Sequence, residues 1–210
     1  VAQVAEDQGR IDDAIAALAR VERGDTWMAA LIRRAQLTAR QGRIDEARAL
    51  LQGAQVTTNR ERAQLIAGES LMLREAGRFD AAFEVLDKAL ERQPANLDLL
   101  YDHAMAAERA GRLDTMEASL RKLIGLKPDH AHAYNALGYT FADRAIRLDE
   151  AEQLLAKALS LAPEDAHILD SMGWLEFRRG RFDTAVDYLQ RAYALRPEAD
   201  IAAHLGEVFW

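Results

Sequence analysis

The feature that most constrains this chain is a short phrase: arginine, a bulky apolar residue, aspartate. It returns at residues 10–12, 43–45, 78–80, 112–114, 147–149 and 181–183, in steps of 33, 35, 34, 35 and 34. A period of this length marks stacked structural repeats, each too small to bury a core alone. The four prolines keep the same beat, Pro94, Pro128, Pro163 and Pro197 lying 34, 35 and 34 apart. Proline lacks an amide hydrogen and restricts the residue before it, so it ends one helix and opens the next at each boundary. Glycine precedes the arginine in five of the six phrases (Gly9, Gly42, Gly77, Gly111, Gly180), and Ile146 stands there in the other. That copy is expected to turn differently.

Each period holds two helical patterns, one before the glycine and one after the Arg-apolar-Asp phrase. In the third copy Phe79, Ala82, Phe83, Leu86 and Leu90 recur at three- and four-residue steps, the spacing of one helix face. The aspartate of the phrase favours the positive end of the second helix, and the glycine supplies the turn. Small residues recur where the two helices must approach: Ala35, Ser70, Ala104, Gly138, Gly173 and Gly206 in the first, Ala14, Ala47, Ala82, Ala151 and Ala185 in the second. Small groups at a crossing allow close axes. The chain therefore reads as all-α, a succession of antiparallel helical hairpins.

The series Leu137-Gly138, Phe141, Ala151, Leu155, Ala158, Pro163 resembles the tetratricopeptide signature, as does Met172-Gly173, Gly180, Ala185, Leu189, Ala192, Pro197. The resemblance implies a right-handed α-solenoid, a tetratricopeptide superhelix, forming a single array over residues 1–210. Its expected parts are a partial repeat 1–27, repeats of about 28–62, 63–96, 97–130, 131–165 and 166–198, and a partial repeat 199–210. After the second copy Thr57-Thr58-Asn59 stands where later copies have proline.

The resemblance also implies that the second, fifth, ninth and twelfth positions of each repeat face an inner groove that binds a peptide or protein partner. In copies four to six these include Tyr101, Met105, Asn135, Tyr139, Asp170, Trp174, Phe177 and, one residue further, Arg178. An asparagine donates to and accepts from a peptide backbone, while aromatic faces bury apolar side chains between such polar fixings. A second reading stays open, in which Tyr139 and Trp174 pack as core between adjacent first helices. Relatives that clamp a chaperone C-terminus use lysines and asparagines at these slots. Here the ninth positions are Gln36, Leu71, Met105, Tyr139 and Trp174, so that ligand is not implied.

Composition narrows the function classes. The 27 basic and 34 acidic residues are mixed along the chain, the net charge is -7, and no basic stripe exists for a phosphate backbone. Nucleic acid is not an expected partner. No apolar run reaches the roughly 18 to 20 residues that cross a bilayer. Cysteine is absent, which excludes thiolate catalysis, and no nucleophile-elbow, phosphate-loop or dinucleotide motif occurs. The expectation is a non-enzyme without cofactor or metal. His130 and His132, two residues apart, point to opposite sides of a helix and do not share an ion. The recurring arginines are read as surface ion-pair partners.

A narrower resemblance rests on Asn135-Ala136-Leu137-Gly138-Tyr139, Ala142-Asp143-Arg144, Asp170-Ser171-Met172-Gly173-Trp174 and Ile201-Ala202-Ala203-His204-Leu205-Gly206-Glu207. These phrases resemble tetratricopeptide lipoproteins of the Gram-negative outer membrane, some of them adaptors for a carboxyl-terminal processing protease. That resemblance implies a periplasmic scaffold joining such a protease to cell-wall hydrolases, with a lipid anchor upstream of Val1. The alternatives are a cytoplasmic assembly or regulatory scaffold, and the helical arm of an enzyme whose catalytic domain is absent from this chain.

Overall fold

A computed structural model describes all 210 residues as thirteen α-helices, with no β-strand. The first compact unit, Val1–Met116, holds α1 (Ala2–Asp7), α2 (Ile11–Ala19), α3 (Trp27–Arg40), α4 (Ile44–Gln52), α5 (Asn59–Glu75), α6 (Phe79–Arg92) and α7 (Leu97–Arg109). Helix α8 (Leu113–Leu126) carries the boundary. The second unit, Glu117–Trp210, continues with α9 (Ala131–Asp143), α10 (Leu148–Leu161), α11 (Ala166–Arg178), α12 (Phe182–Leu195) and α13 (Ala199–Phe209). Within the first unit α3 packs on α4 and α5, and α5 on α6 and α7. Within the second α9 packs on α10 and α11, and α11 on α12 and α13. This is the all-α hairpin architecture of an α-solenoid that the period implied.

The prolines act as expected. Gln93, Ala162 and Arg196, each just before a proline, leave the helical region at φ −131°, −143° and −145°, which ends α6, α10 and α12. Two residues after the proline stands a side chain that caps the next helix. Asn96 accepts from the Leu99 amide at 3.1 Å, His130 Nδ1 from Ala133 at 3.1 Å, and Asp165 from His167 and Ile168 at 3.0 and 3.1 Å. Where proline is missing, Thr58 and Glu61 form a reciprocal capping box, and α5 begins at Asn59 rather than near residue 63. A strong cap four residues upstream explains the longer helix.

The turn without glycine differs as expected. The five turn glycines sit at φ between +71° and +82°, and one residue later the arginine of the phrase starts the second helix. Between α9 and α10 the left-handed position falls to Ala145 (φ 51°), Ile146 follows, and Arg147 is left-handed too (φ 47°). Each left-handed non-glycine residue costs about 1–2 kcal/mol. Arg147 is held in place by its guanidinium, 3.8 Å from the Phe141 ring centre and bonded to Glu117 at 2.5 and 3.0 Å. The hydrogen bond from Arg147, assisted by Arg121, keeps the Glu117 carboxyl below its ordinary range against the opposing effect of burial.

At two of the crossings the glycine is required by contact, whereas Gly206, expected to be a third, has open space beside it. A Cβ on Gly138 would lie 2.7 Å from Leu155 Cγ and 3.2 Å from the Ala151 carbonyl, and one on Gly173 would lie 2.6 Å from Leu189 Cγ and 3.1 Å from the Ala185 carbonyl. The opposing Ala151 and Ala185 are fully buried. In the first unit Ala35, Ala47, Leu51, Leu65, Met72, Leu73 and Ala82 form one apolar core.

Candidate functional site

In the second unit five of the expected groove residues gather around a residue that carried no assigned role, His204 of α13. Its Nδ1 lies 2.9 and 3.0 Å from the two oxygens of Asp170, and its ring stacks on Trp174 with centres 4.4 Å apart and planes 22° apart. Tyr139 tilts against His204 at 6.1 Å, Phe177 against Trp174 at 5.1 Å, and the Arg178 guanidinium stands 5.8 Å over the indole. The Trp174 indole N–H donates to Asp143 Oδ1 at 3.3 Å, so both ends of the ring are fixed. Burial opposes a charge on His204, but hydrogen bonding and attraction from Asp170, with Glu207 and Asp143 adding, outweigh it and raise its pKa.

Exposure separates these residues. Trp174 is 5% exposed and Asp170 8%, covered by α13, whereas Tyr139 and Phe177 are half-buried and Arg178 is exposed. Of the two readings left open for Trp174, the packing between first helices is what its surroundings show. Asn135, one turn before Tyr139, is half-buried, and its Oδ1 is buried without a hydrogen bond. Tyr101 and Met105 lie on α7 in the first unit, both half-buried.

The first unit opens a cleft of about 510 Å³ along its first helices. Helix α3 and the turn before it contribute Asp25, Met28, Ala29 and Ile32; α5 contributes Gln64, Ala67, Gly68, Leu71 and Arg74; α7 contributes Asp102. Leu71 is 39% exposed, a large apolar side chain without cover. Gly68 lets α5 approach α3, because a Cβ there would be 3.0 Å from two carbons of Ile32. Burial lifts the Asp102 carboxyl above its usual range, with Arg74 pulling it down and Asp98 pushing it up. Sequence reasoning placed Leu71 at a ninth position but gave it no role for want of a lysine. Arg74 stands at the twelfth position of its repeat, one of the four inner slots, whereas Asp102 stands at the sixth, outside them, so only the folded arrangement reveals it.

Arg78 forms no ion pair and Arg181 reaches the buried Glu176 at 3.2 Å, whereas others of the recurring arginines pair on the surface, Arg43 with Asp12 (3.5 Å) and Glu46 (3.3 Å) and Arg112 with Asp80 (3.0 Å). Pairs of this kind contribute about 0–1 kcal/mol each. His130 serves as a helix cap, while His132 lies 3.6 Å from Asp165. No helix is long and apolar enough to cross a membrane.

Tetratricopeptide-repeat family models match residues 73–139 and, separately, residues 2–66 with 171–210. The chain belongs to the tetratricopeptide-repeat family. Over 205 residues it is 38% identical to a TPR repeat-containing protein of Pseudomonas aeruginosa, a match covering 98% of this chain and 35% of that protein. The chain thus spans about a third of the length of that curated relative. Among solved structures it is similar to a tetratricopeptide repeat protein from Parabacteroides merdae, at TM-score 0.67 and 18% identity, covering 87% of this chain and 72% of the other. It is also similar to YrrB, described as a TPR protein with an unusual peptide-binding site, at TM-score 0.58 and 19% identity, covering 85% and 91%. At these identities the likeness establishes the shared tetratricopeptide fold, which supports a protein-interaction scaffold.

Proposed function

We propose that this tetratricopeptide chain is the partner-binding segment of a longer non-catalytic scaffold, and that the cleft along α3, α5 and α7 is where a peptide or protein partner docks. The observation that carries this is an open, mostly apolar recess of about 510 Å³, lined by three successive first helices and leaving Leu71 uncovered. Recesses of roughly 300–1,000 Å³ with an apolar lining and a few polar groups are the usual shape of a binding site. Tyr139, Phe177 and Arg178, with Asn135, form a second candidate surface in the other unit, and Asp170 and Trp174 support it from beneath. Tyr101 and Met105 extend the first-helix face of the first unit.

Within this reading the scaffold is a periplasmic adaptor, anchored to the outer membrane by a lipid upstream of the chain, that brings a carboxyl-terminal processing protease to cell-wall hydrolases. Support comes from the phrases at 135–139, 142–144, 170–174 and 201–207. The test is affinity capture from cell-envelope extracts with the full-length protein and its Leu71→Glu variant. Capture of envelope proteins by the wild type, reduced in the variant, is expected. Recovery of cytosolic proteins alone overturns the adaptor reading, and equal capture by both forms removes the cleft.

A further inference from the structure

The α3–α5–α7 cleft has a chemistry beyond its apolar walls. Asp25 and Asp102 line it, Asp98 lies close enough to act on Asp102, and Arg74 is the one cation. The Arg74 side chain forms no ion pair or hydrogen bond, and its Nε is buried without an acceptor. Asp102 is partly buried, and its carboxylate likewise accepts no hydrogen bond. The cleft thus holds a guanidinium and a carboxylate that are near enough to influence each other yet are not joined, both with unmet hydrogen-bonding capacity.

Resting on the reading of this cleft as a partner site, we infer that its occupant is a peptide segment of another protein carrying a bulky aliphatic side chain next to a lysine or arginine. The aliphatic group enters among Met28, Ile32 and Leu71, and the cation pairs with Asp102. Charge decides between the possible neighbours. An acidic segment, or a free C-terminal carboxylate, would enter a recess where carboxylates outnumber the guanidinium, on a protein of net charge -7. Like charges brought together in a partly desolvated site are penalised. A lysine or arginine instead supplies the donor that Asp102 lacks, in the shorter and stronger bond that two ionised partners form. Its methylene stem covers the same apolar walls. Arg74 is left to donate to a main-chain carbonyl, a role that needs no charge on the ligand.

The test uses an array of amidated peptides, each with one fixed central leucine and variable neighbours, probed with the whole chain and with its Asp102→Asn and Leu71→Glu variants. The wild type is expected to retain peptides with lysine or arginine beside the leucine about tenfold over those with aspartate or glutamate. Asp102→Asn, close in shape and folded by circular dichroism, should still retain the leucine peptides and lose the preference for a basic neighbour. An unchanged charge preference in Asp102→Asn, or enrichment of acidic neighbours in the wild type, overturns the assignment of the ligand. Retention of the same peptides by Leu71→Glu, or of none by the wild type, instead overturns the cleft itself.

Discussion

At the scale of single residues, the hairpin crossings give the sharpest expectations. Gly173→Ala places a methyl 2.6 Å from Leu189 Cγ and 3.1 Å from a backbone carbonyl, so the helices must separate. Overpacking of this kind costs about 1–3 kcal/mol. Gly206, equivalent by period but with nothing within 4 Å of its would-be Cβ, should respond oppositely, because alanine is the better helix former by about 1 kcal/mol. Denaturant midpoints of the two variants should therefore move in opposite directions. Ala145→Gly should raise the midpoint by about 1 kcal/mol equivalent, relieving a left-handed alanine. The crossing glycines were legible in the sequence because spacing alone brings them opposite Ala151 and Ala185. Trp174 was less so: its slot told which helix face it occupies, but only the fold shows His204 and Asp143 closing over it. Truncating a tryptophan that is 5% exposed disturbs packing as well as any partner, so Leu71 is the cleaner probe.

At the scale of elements, helix limits were legible wherever a local rule governs them: proline and a polar cap two residues later start α7, α9 and α11. The start of α5 was missed because a capping box does the same work without proline. The attachment of α13 was not legible at all, since its main polar tie joins residues 34 apart in sequence, Asp170 and His204. That tie predicts a pH dependence. The folded pKa of His204 is raised, because Asp170, Glu207 and Asp143 outweigh the effect of burial. A raised pKa means that the ion pair stabilises α13 fully below the ordinary histidine value of about 6.5, and that this is lost as pH rises through the folded pKa. Amide-exchange protection factors over residues 199–209 should therefore fall between pH 6 and pH 9 relative to those of α10. Asp170→Asn should flatten the trend. Equal protection at both pH values in the wild type would show that the stacking of His204 on Trp174, not the charge, holds the helix.

At the scale of the whole molecule, the charge of -7 acts on encounter and the cleft acts on residence. A field of one sign steers an oppositely charged ligand and speeds its association, and salt removes that help as the screening length shrinks from about 30 Å at 0.01 M to about 8 Å at 0.15 M. Apolar burial against Met28, Ile32 and Leu71 is not screened in this way. For a leucine-lysine peptide, raising the salt should slow association several-fold while dissociation changes little, whereas Leu71→Glu should mainly accelerate dissociation. Asp102 lies between these regimes. Its carboxylate is partly desolvated, so the bond it makes should persist at 0.15 M, and Asp102→Asn should raise the dissociation rate at both salt concentrations. Stopped-flow measurements over the two salts separate the contributions. If Asp102→Asn changes only the association rate, the carboxylate is one more member of the general field, and the specificity of the cleft for a basic neighbour has no local origin.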